Sequence, residues 1–215
     1  MNHQVFNEFN NNVSDFEKGY AIGTVLGDGE LRHDYIPGKR WNYLIRLRVI
    51  DKEFAYYFYS ILKKESDKTS INKYKYENKN HRPYYQISLY DKEILLKYKR
   101  LLQRFVLDYK QFSIDFLRGV LSGFGDSEAT LDIRKYIGNN QYGSLKFSNT
   151  NKSTITLCFR ILKHLGYNPT IRTCKHKPSY KKLEYLLSLN RINEIKRFIE
   201  EIGLQIKRKC LLKTI

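Results

Sequence analysis

The apolar residues of this chain recur with two different spacings, and the order in which these spacings alternate occurs twice. A spacing of three or four residues predicts helices, whereas strict alternation predicts strands. In the first half the segments follow one another along the chain: Phe16–Glu30 (apolar with glycines), Tyr43–Ile50 (strand), Lys52–Lys64 (helix), Ile71–Tyr76 and Tyr84–Tyr90 (strands), and Glu93–Gln103 (helix).

The second half repeats this order of segments. They are Ile114–Ala129 (apolar with glycines), Ser144–Ser148 (strand), Ser153–Leu165 (helix), Thr170–Cys174 and Tyr185–Asn190 (strands), and Ile192–Ile202 (helix). Gly166 and Gly203 follow the two later helices, in the position where glycine commonly ends a helix. The sequence therefore predicts an internal duplication.

From this duplication we predict a mixed α/β (α+β) fold of two pseudo-symmetric modules. Each module has the element order αββαββα, with Tyr43–Ile50 and Ser144–Ser148 as arms of the first hairpins. The predicted boundaries are an N-terminal extension over residues 1–15, a first module over 16–103, a linker over 104–113, and a second module with a basic tail over 114–215.

The composition of the chain indicates which class of partner it binds. The chain has 215 residues, 41% of them hydrophobic, and 39 Lys+Arg against 22 Asp+Glu give a formal net charge of +17. This excess predicts binding to a polyanion. No apolar run reaches the roughly 18 residues of a membrane span, and the N-terminus lacks a signal pattern. The three cysteines favour a reducing compartment, so we expect a cytoplasmic location, or an organellar matrix for an organellar host gene.

Two nine-residue stretches, one at the head of each module, carry the candidate chemistry. They read AIGTVLGDG over 21–29 and LSGFGDSEA over 121–129. In each, small residues occupy the third, seventh and ninth places, and an acid (Asp28 or Glu128) occupies the eighth. Small residues four positions apart share one helix face, so two such helices can pack with their backbones in close contact.

Helices that cross in this way bring Asp28 and Glu128 together at a pseudo-twofold axis. Two neighbouring carboxylates repel each other unless a cation lies between them, and hard divalent ions prefer oxygen ligands. Paired-metal sites promote phosphoryl displacement, so a basic chain with a symmetric acid pair predicts a nuclease. A second register, in which VLGDGE is aligned with GFGDSE, would pair Asp28 with Asp126 and would place Leu121 at the close-packing position.

The two stretches resemble the paired signature helices of the LAGLIDADG homing endonucleases in their single-chain, two-motif form. The resemblance covers the repeated modules from Phe16 to Lys209. It implies two saddle-forming antiparallel β-sheets around a central two-helix interface. It also implies a monomer that needs no protein partner and binds a long, asymmetric duplex DNA target. Family members cut both strands with Mg²⁺ and leave 3′ overhangs, and we expect Mn²⁺ to substitute.

The resemblance also implies roles for individual residues. Asp28 and Glu128, with Gly27 and Ser127 beside them, would hold the metal, and the two acids would be catalytic. Lys52 and Asn149, near the ends of the long strands, would act on the developing charge or on the attacking water. At the strand end that the resemblance matches with Lys52, the second half has Thr150 and no lysine. This difference predicts unequal cleavage of the two strands.

The strands of both modules would supply contacts to DNA, because alternate strand positions all face one groove. The predicted contacts are basic residues in or beside the hairpins: Arg32, Arg40, Arg46, Arg48, Lys73, Lys75, Arg82, Arg134, Lys146, Arg172, Lys175 and Lys177.

Two other functions remain open at this point. One is an intron RNA-binding maturase that assists splicing, which would bind structured RNA and tolerate Asp28→Asn or Glu128→Gln. The other is a DNA-binding protein that has lost cleavage, which the irregular second motif suggests.

Overall fold

The computed structural model describes residues 9–35, 41–75, 82–135, 141–174 and 183–206, and it contains the two predicted modules. The first comprises α1 (Asp15–Leu26), β1 (Gly29–Tyr35), β2 (Trp41–Val49), α2 (Lys52–Glu65), β3 (Ser70–Tyr74), β4 (Tyr84–Leu89) and α3 (Lys92–Leu107). The second comprises α4 (Ile114–Glu128), β5 (Ala129–Lys135), β6 (Gln141–Asn149), α5 (Lys152–His164), β7 (Thr170–Cys174), β8 (Glu184–Leu189) and α6 (Ile192–Glu201). Every element of the second module begins 100 residues after its counterpart, except α4, which begins 99 residues after α1.

The structure confirms the mixed α/β fold and refines three boundaries. The opening apolar stretches each divide into a helix and the first strand of a hairpin, at Gly29 and at Ala129. Helix α3 continues to Leu107, into the predicted linker, because Phe105 continues its buried face. In the predicted N-terminal extension, Phe9 and Val13 are buried in the core.

Each module contains a four-stranded antiparallel sheet that packs on helices by one face. The strand orders are β1-β2-β4-β3 and β5-β6-β8-β7. In the first sheet Ile45, Leu47 and Ile87 belong to the hydrophobic core, and the residues that alternate with them point to the opposite side. We call this opposite side, away from the helices, the open face of each sheet.

Helices α1 and α4 pack side by side through glycines, and this contact joins the two modules. A methyl group built on Gly23 would lie 2.1 Å from the carbonyl oxygen of Val120. The reciprocal contact is the same, since a methyl group on Gly123 would lie 2.1 Å from the carbonyl oxygen of Tyr20. Gly19 and Gly119 meet the opposing backbone one turn earlier. The backbones are therefore too close for any side chain at these four positions.

We expect Gly23→Ala to lower the free energy of unfolding by about 3 kcal/mol, because the added methyl group forces two backbones apart. The gain of about 1 kcal/mol in helix propensity does not offset this overlap. Gly125→Ala on α4 is the matched control, since its methyl group would meet side chains and no opposing backbone, namely the end of Leu204 at 2.5 Å and the Phe147 ring at 3.4 Å. Denaturant unfolding of both variants tests the contact, and equal losses of stability would contradict it.

Candidate functional site

The two signature helices end next to each other. Gly27 caps α1, and a methyl group built on it would lie 2.4 Å from the Cβ of Ser127, near the end of α4. Together with the contacts of Gly23 and Gly123, this fixes the register of the helix pair. The register in the structure pairs Asp28 with Glu128, and it does not pair Asp28 with Asp126.

Asp28 and Glu128 line one cleft of about 610 Å³ at the junction of the modules. Arg48 and Tyr84 reach it from the open face of the first sheet, as their strand register shows. Further lining residues come from both modules: Val49, Ile50, Asp51, Phe54, Asp126, Ser127, Ala129, Thr130 and Ser148. The cleft therefore lies where the two open faces meet.

The carboxylate of Glu128 is oriented by Asn149. The Nδ2 of Asn149 donates a hydrogen bond of 2.8 Å to Oε1 of Glu128, while its Oδ1 accepts one of 2.7 Å from the backbone N–H of Asn151. These two bonds define which way the amide points. The corresponding position in the first module is Val49, which is buried and offers no donor. The surroundings of the two acids therefore differ.

Asp126 has a structural role beside the cleft. It is only 2% exposed and accepts hydrogen bonds from the hydroxyl of Tyr20 (2.7 Å) and from the backbone N–H groups of Gln205 (2.9 Å) and Ile206 (3.1 Å). Burial, together with the neighbouring charge of Asp126, raises the pKa of Tyr20 well above its usual value, so the hydroxyl stays a donor. Asp126 thus links α1, α4 and the segment that follows α6.

Lys52 does not line the cleft. It is the first residue of α2, it is exposed, and its ammonium group lies 5.4 Å from the ring centre of Tyr56. The matching of Lys52 with Thr150 was wrong, because the offset of 100 residues makes Lys152 the counterpart of Lys52. Asp51, which precedes Lys52 as the N-cap position of α2, does line the cleft.

The open face of the first sheet contains a ladder of ion pairs. The Arg32 guanidinium contacts Asp34 at 2.7 Å and Glu30 at 3.2 Å. Arg46, opposite Glu30 in the strand register, donates to it from Nε at 2.9 Å. Arg48 donates to Oε1 of Gln86 at 2.6 Å. Three predicted DNA contacts, Arg32, Arg46 and Arg48, are therefore held in fixed positions by neighbours.

The open face of the second sheet has a different composition. Thr130 and Asp132 occupy the positions of Glu30 and Arg32. Lys146 lies opposite Thr130, and Arg172 opposite Leu186, so both belong to this face. Arg134 occupies the same face of β5 by its register position. The two sheets therefore present unlike surfaces to any shared ligand.

The remaining predicted DNA contacts are placed differently. Lys73 lies opposite Tyr85 in the register, on the helix-packed side, and its ammonium group is 5.8 Å from that ring, so Lys73 does not belong to the open face as its strand position had predicted. The residue spacing alone did not show which face it takes. Lys75 and Arg82 are exposed beside the ends of β3 and β4. Arg40, Lys175 and Lys177 lie outside the described residues.

The oxygen donors of the cleft suit a divalent ion whose remaining ligands come from water and from a phosphate group. In the described ranges no three His, Cys, Asp or Glu side chains converge to form a metal cage. Asp28 and Glu128 provide two carboxylates, and Gly27 and Ser127 adjoin them. Mg²⁺ commonly binds through one or two carboxylates, keeps several waters and accepts phosphate oxygens.

In the ranges that the structure describes, no helix has the length and apolar content to cross a membrane.

Comparisons with known proteins agree with this architecture. The family model described as a LAGLIDADG-like domain matches residues 115–203, within the second module. The uncharacterized protein MJ0314 of Methanocaldococcus jannaschii is 29% identical over 162 residues, which cover 75% of this chain and 59% of that protein. The match thus spans less than two thirds of this curated relative.

Two solved structures share the fold over most of the chain. I-DmoI in complex with DNA and Mn superposes with a TM-score of 0.66 and 19% identity, over 88% of this chain and 97% of that one. I-DmoI has also been solved with DNA and Ca, and a variant with its target DNA and Mg. The homing endonuclease I-WcaI bound to its DNA recognition sequence has a TM-score of 0.60 and 12% identity, over 94% and 88% of the chains.

We expect Asp126→Ala to lower the free energy of unfolding by about 3 kcal/mol, because it removes the acceptor of two buried donors and one partly buried donor. Asp115→Ala, an exposed change in the first turn of the same helix, should cost less than about 1 kcal/mol. Denaturant unfolding of both variants measures the difference. A loss at Asp126 no larger than that at Asp115 would show that the three bonds do not anchor the segment after α6.

Proposed function

We propose that this chain, a two-module LAGLIDADG protein, is a site-specific endonuclease that hydrolyses both strands of a long, asymmetric duplex DNA target. The observation that carries this proposal is the placement of Asp28 and Glu128 in one cleft between two open sheet faces. A duplex that lies along both faces would cross the cleft and present its two scissile phosphates to the two acids. Cleavage leaves 3′ overhangs in this proposal, as the family resemblance implies.

Asp28 and Glu128 would hold divalent metal in this cleft, with Gly27 and Ser127 beside them. Mg²⁺ is the proposed ion and Mn²⁺ its substitute, which agrees with the metals in the I-DmoI structures. When bound, such an ion supplies an activated water and stabilises charge on the phosphate. Asn149 keeps the carboxylate of Glu128 in place through its amide hydrogen bond. The catalytic role of Lys52 stays a prediction.

The open faces would supply the contacts to DNA. Arginine is suited to this task because its guanidinium can donate two hydrogen bonds to guanine. The ion pairs of Arg32 and Arg46 with Glu30 hold both guanidinium groups on the strand surface before any ligand arrives. The second sheet would use Lys146, Arg172 and Arg134. The unlike composition of the two faces suits an asymmetric target.

The proposed active species is a monomer, because one chain already provides both modules, both acids and both open faces. Duplex DNA is its proposed partner, and no protein partner is required. The cytoplasmic or organellar location stays a prediction.

Cleavage should require both acids. We expect Asp28→Asn or Glu128→Gln to lower the cleavage rate at least about a hundredfold, because metal ligands act chiefly in the transition state. DNA affinity should stay within about tenfold, since the acids contribute little to binding in the ground state. The rate is measured with Mg²⁺ on a plasmid that carries the target. This target is the intron-less form of the gene that hosts this reading frame. Asp115→Asn, far from the cleft, is the matched control.

An unchanged cleavage rate in either acid variant would contradict this assignment. Strong binding to structured RNA, with no cleavage of DNA by the unmodified chain, would favour the maturase. Sequence-specific binding of duplex DNA without cleavage would favour a protein that has lost catalysis.

The two strands should respond differently to Asn149→Ala. Asn149→Ala removes one hydrogen bond that orients the Glu128 carboxylate, and we expect about a tenfold slower cut by the site that contains Glu128. The other strand should be cut at its original rate, because Val49 gives Asp28 no comparable donor. Separate end labels on the two DNA strands measure the cleavage rate of each strand. Asn12→Ala, in the exposed turn before α1, is the control. Equal slowing of both strands would contradict the assignment.

A further inference from the structure

A small aromatic pocket lies on the helix side of the first sheet, outside the proposed cleft. Its walls include the rings of Trp41, Tyr43 and Tyr90 and the side chain of Lys92 at the start of α3, around a volume of about 310 Å³. We call this set of four residues the aromatic pocket. Lys92 also lies 5.6 Å from the ring centre of Tyr43, so a positive charge borders the rings.

The rings of the pocket continue along the hairpin as a packed row. The His33 ring stacks on Tyr43 with centroids 4.6 Å apart and contacts Trp41 at 4.8 Å. Tyr35 packs edge-on against Trp41 at 5.6 Å. The ring of Trp41 is therefore fixed by its neighbours, although the residue is 53% exposed, and Tyr90 is 58% exposed. Rigid, exposed rings are suited to stacking with a flat ligand.

Two rings of the aromatic pocket, those of Trp41 and Tyr43, lie on the side of the sheet opposite the open face. Trp41 and Tyr43 alternate with Asn42 along β2 and share their side with the core residues Ile45 and Leu47. A duplex on the open face would therefore not stack on the rings of Trp41 and Tyr43. Any ligand of the aromatic pocket binds separately from the proposed target.

The second module shows that the fold does not require these rings. At the corresponding positions it has Gln141, Gly143, Asn190 and Ile192. A methyl group built on Gly143 would contact Ile195, Ile133 and Ile192 within 3.1 to 3.3 Å, so aliphatic side chains pack there. The same framework thus forms with an aliphatic patch in one module and with exposed rings in the other.

We propose that the aromatic pocket binds an unpaired nucleotide of a single-stranded nucleic acid. Bases stack on exposed aromatic side chains regardless of sequence, and a nearby cation contacts the phosphate. Trp41 and Tyr90 provide the rings, and Lys92 provides the cation. Asp91 also lines the pocket, but its carboxylate is compensated by Lys68 at 3.0 Å and by the backbone N–H groups of α3. The net charge of +17 favours such a polyanion.

Trp41 is the single tryptophan of the chain, so its fluorescence reports on this pocket directly. The probes are an oligothymidylate and an oligouridylate of about twelve nucleotides each, which do not pair with themselves. We expect both to quench the fluorescence in a saturable titration. An unrelated duplex of the same length should neither quench it nor displace the single strand. The arm with the tighter binding identifies the natural polymer as DNA or RNA.

Two variants test the pocket by giving it the residues of the second module. We expect Tyr90→Asn and Lys92→Ile each to weaken single-strand binding at least about fivefold, because they remove a stacking ring and the phosphate contact. Tyr56→Asn, which changes another exposed tyrosine on α2, should leave binding unchanged. All three positions are at the surface, so the fold should be preserved in each variant.

The result separates this proposal from the proposed endonuclease, because it measures no cleavage and no binding to the duplex target. Saturable quenching that depends on Tyr90 and Lys92 supports the pocket, whether or not the cleft cuts DNA. Absence of quenching by both oligonucleotides would overturn it. Quenching that is equal in the Tyr90→Asn, Lys92→Ile and Tyr56→Asn variants would also overturn it, since binding would then take place elsewhere.

Discussion

The contact between the backbones of α1 and α4 is the constraint on which the rest of the structure depends. Glycines at 19, 23, 119 and 123 let each helix touch the carbonyl groups of the other, and no larger residue fits there. Because the contact is reciprocal, it fixes the register of the pair and the pseudo-twofold relation of the modules. The helix ends then place Asp28 and Glu128 in one cleft, where the open faces of the two sheets meet.

The near-constant offset of 100 residues pairs each residue of the first module with a counterpart in the second. The two residues of a pair occupy equivalent backbone positions, so their side chains can be compared directly. Where the counterparts agree, as at the close-packed glycines, the residue serves the shared framework. Where they differ, the two modules are not symmetric. Asn149 donates a hydrogen bond to Glu128, whereas its counterpart Val49 has no side-chain donor. The residues of the ion-pair ladder on the first open face and the rings of Trp41 and Tyr43 are likewise replaced by other residues at the corresponding positions of the second module.

Much of this could be predicted from the sequence, because the information is local. The periodic pattern gave both modules, and the spacing of Gly23 and Gly123 gave the register of the helices. The errors concern features that depend on pairing between strands. The face of Lys73 follows from its position opposite Tyr85, and the counterpart of Lys52 follows from where β6 ends, neither of which is local. Asp126 looked like a second candidate acid because its partners Tyr20, Gln205 and Ile206 are distant along the chain.

In the proposed function the paired helix ends form one metal-binding cleft, and localised oxidative scission of the chain tests this most directly. Fe²⁺ bound in place of Mg²⁺, with ascorbate and peroxide, generates hydroxyl radicals that cut the polypeptide close to the ion. We expect scission next to residues 27–28 and also next to residues 127–128, competed by Mg²⁺ and lost when Asp28→Asn is combined with Glu128→Gln. Scission confined to other segments, or unchanged in the double variant, would contradict it.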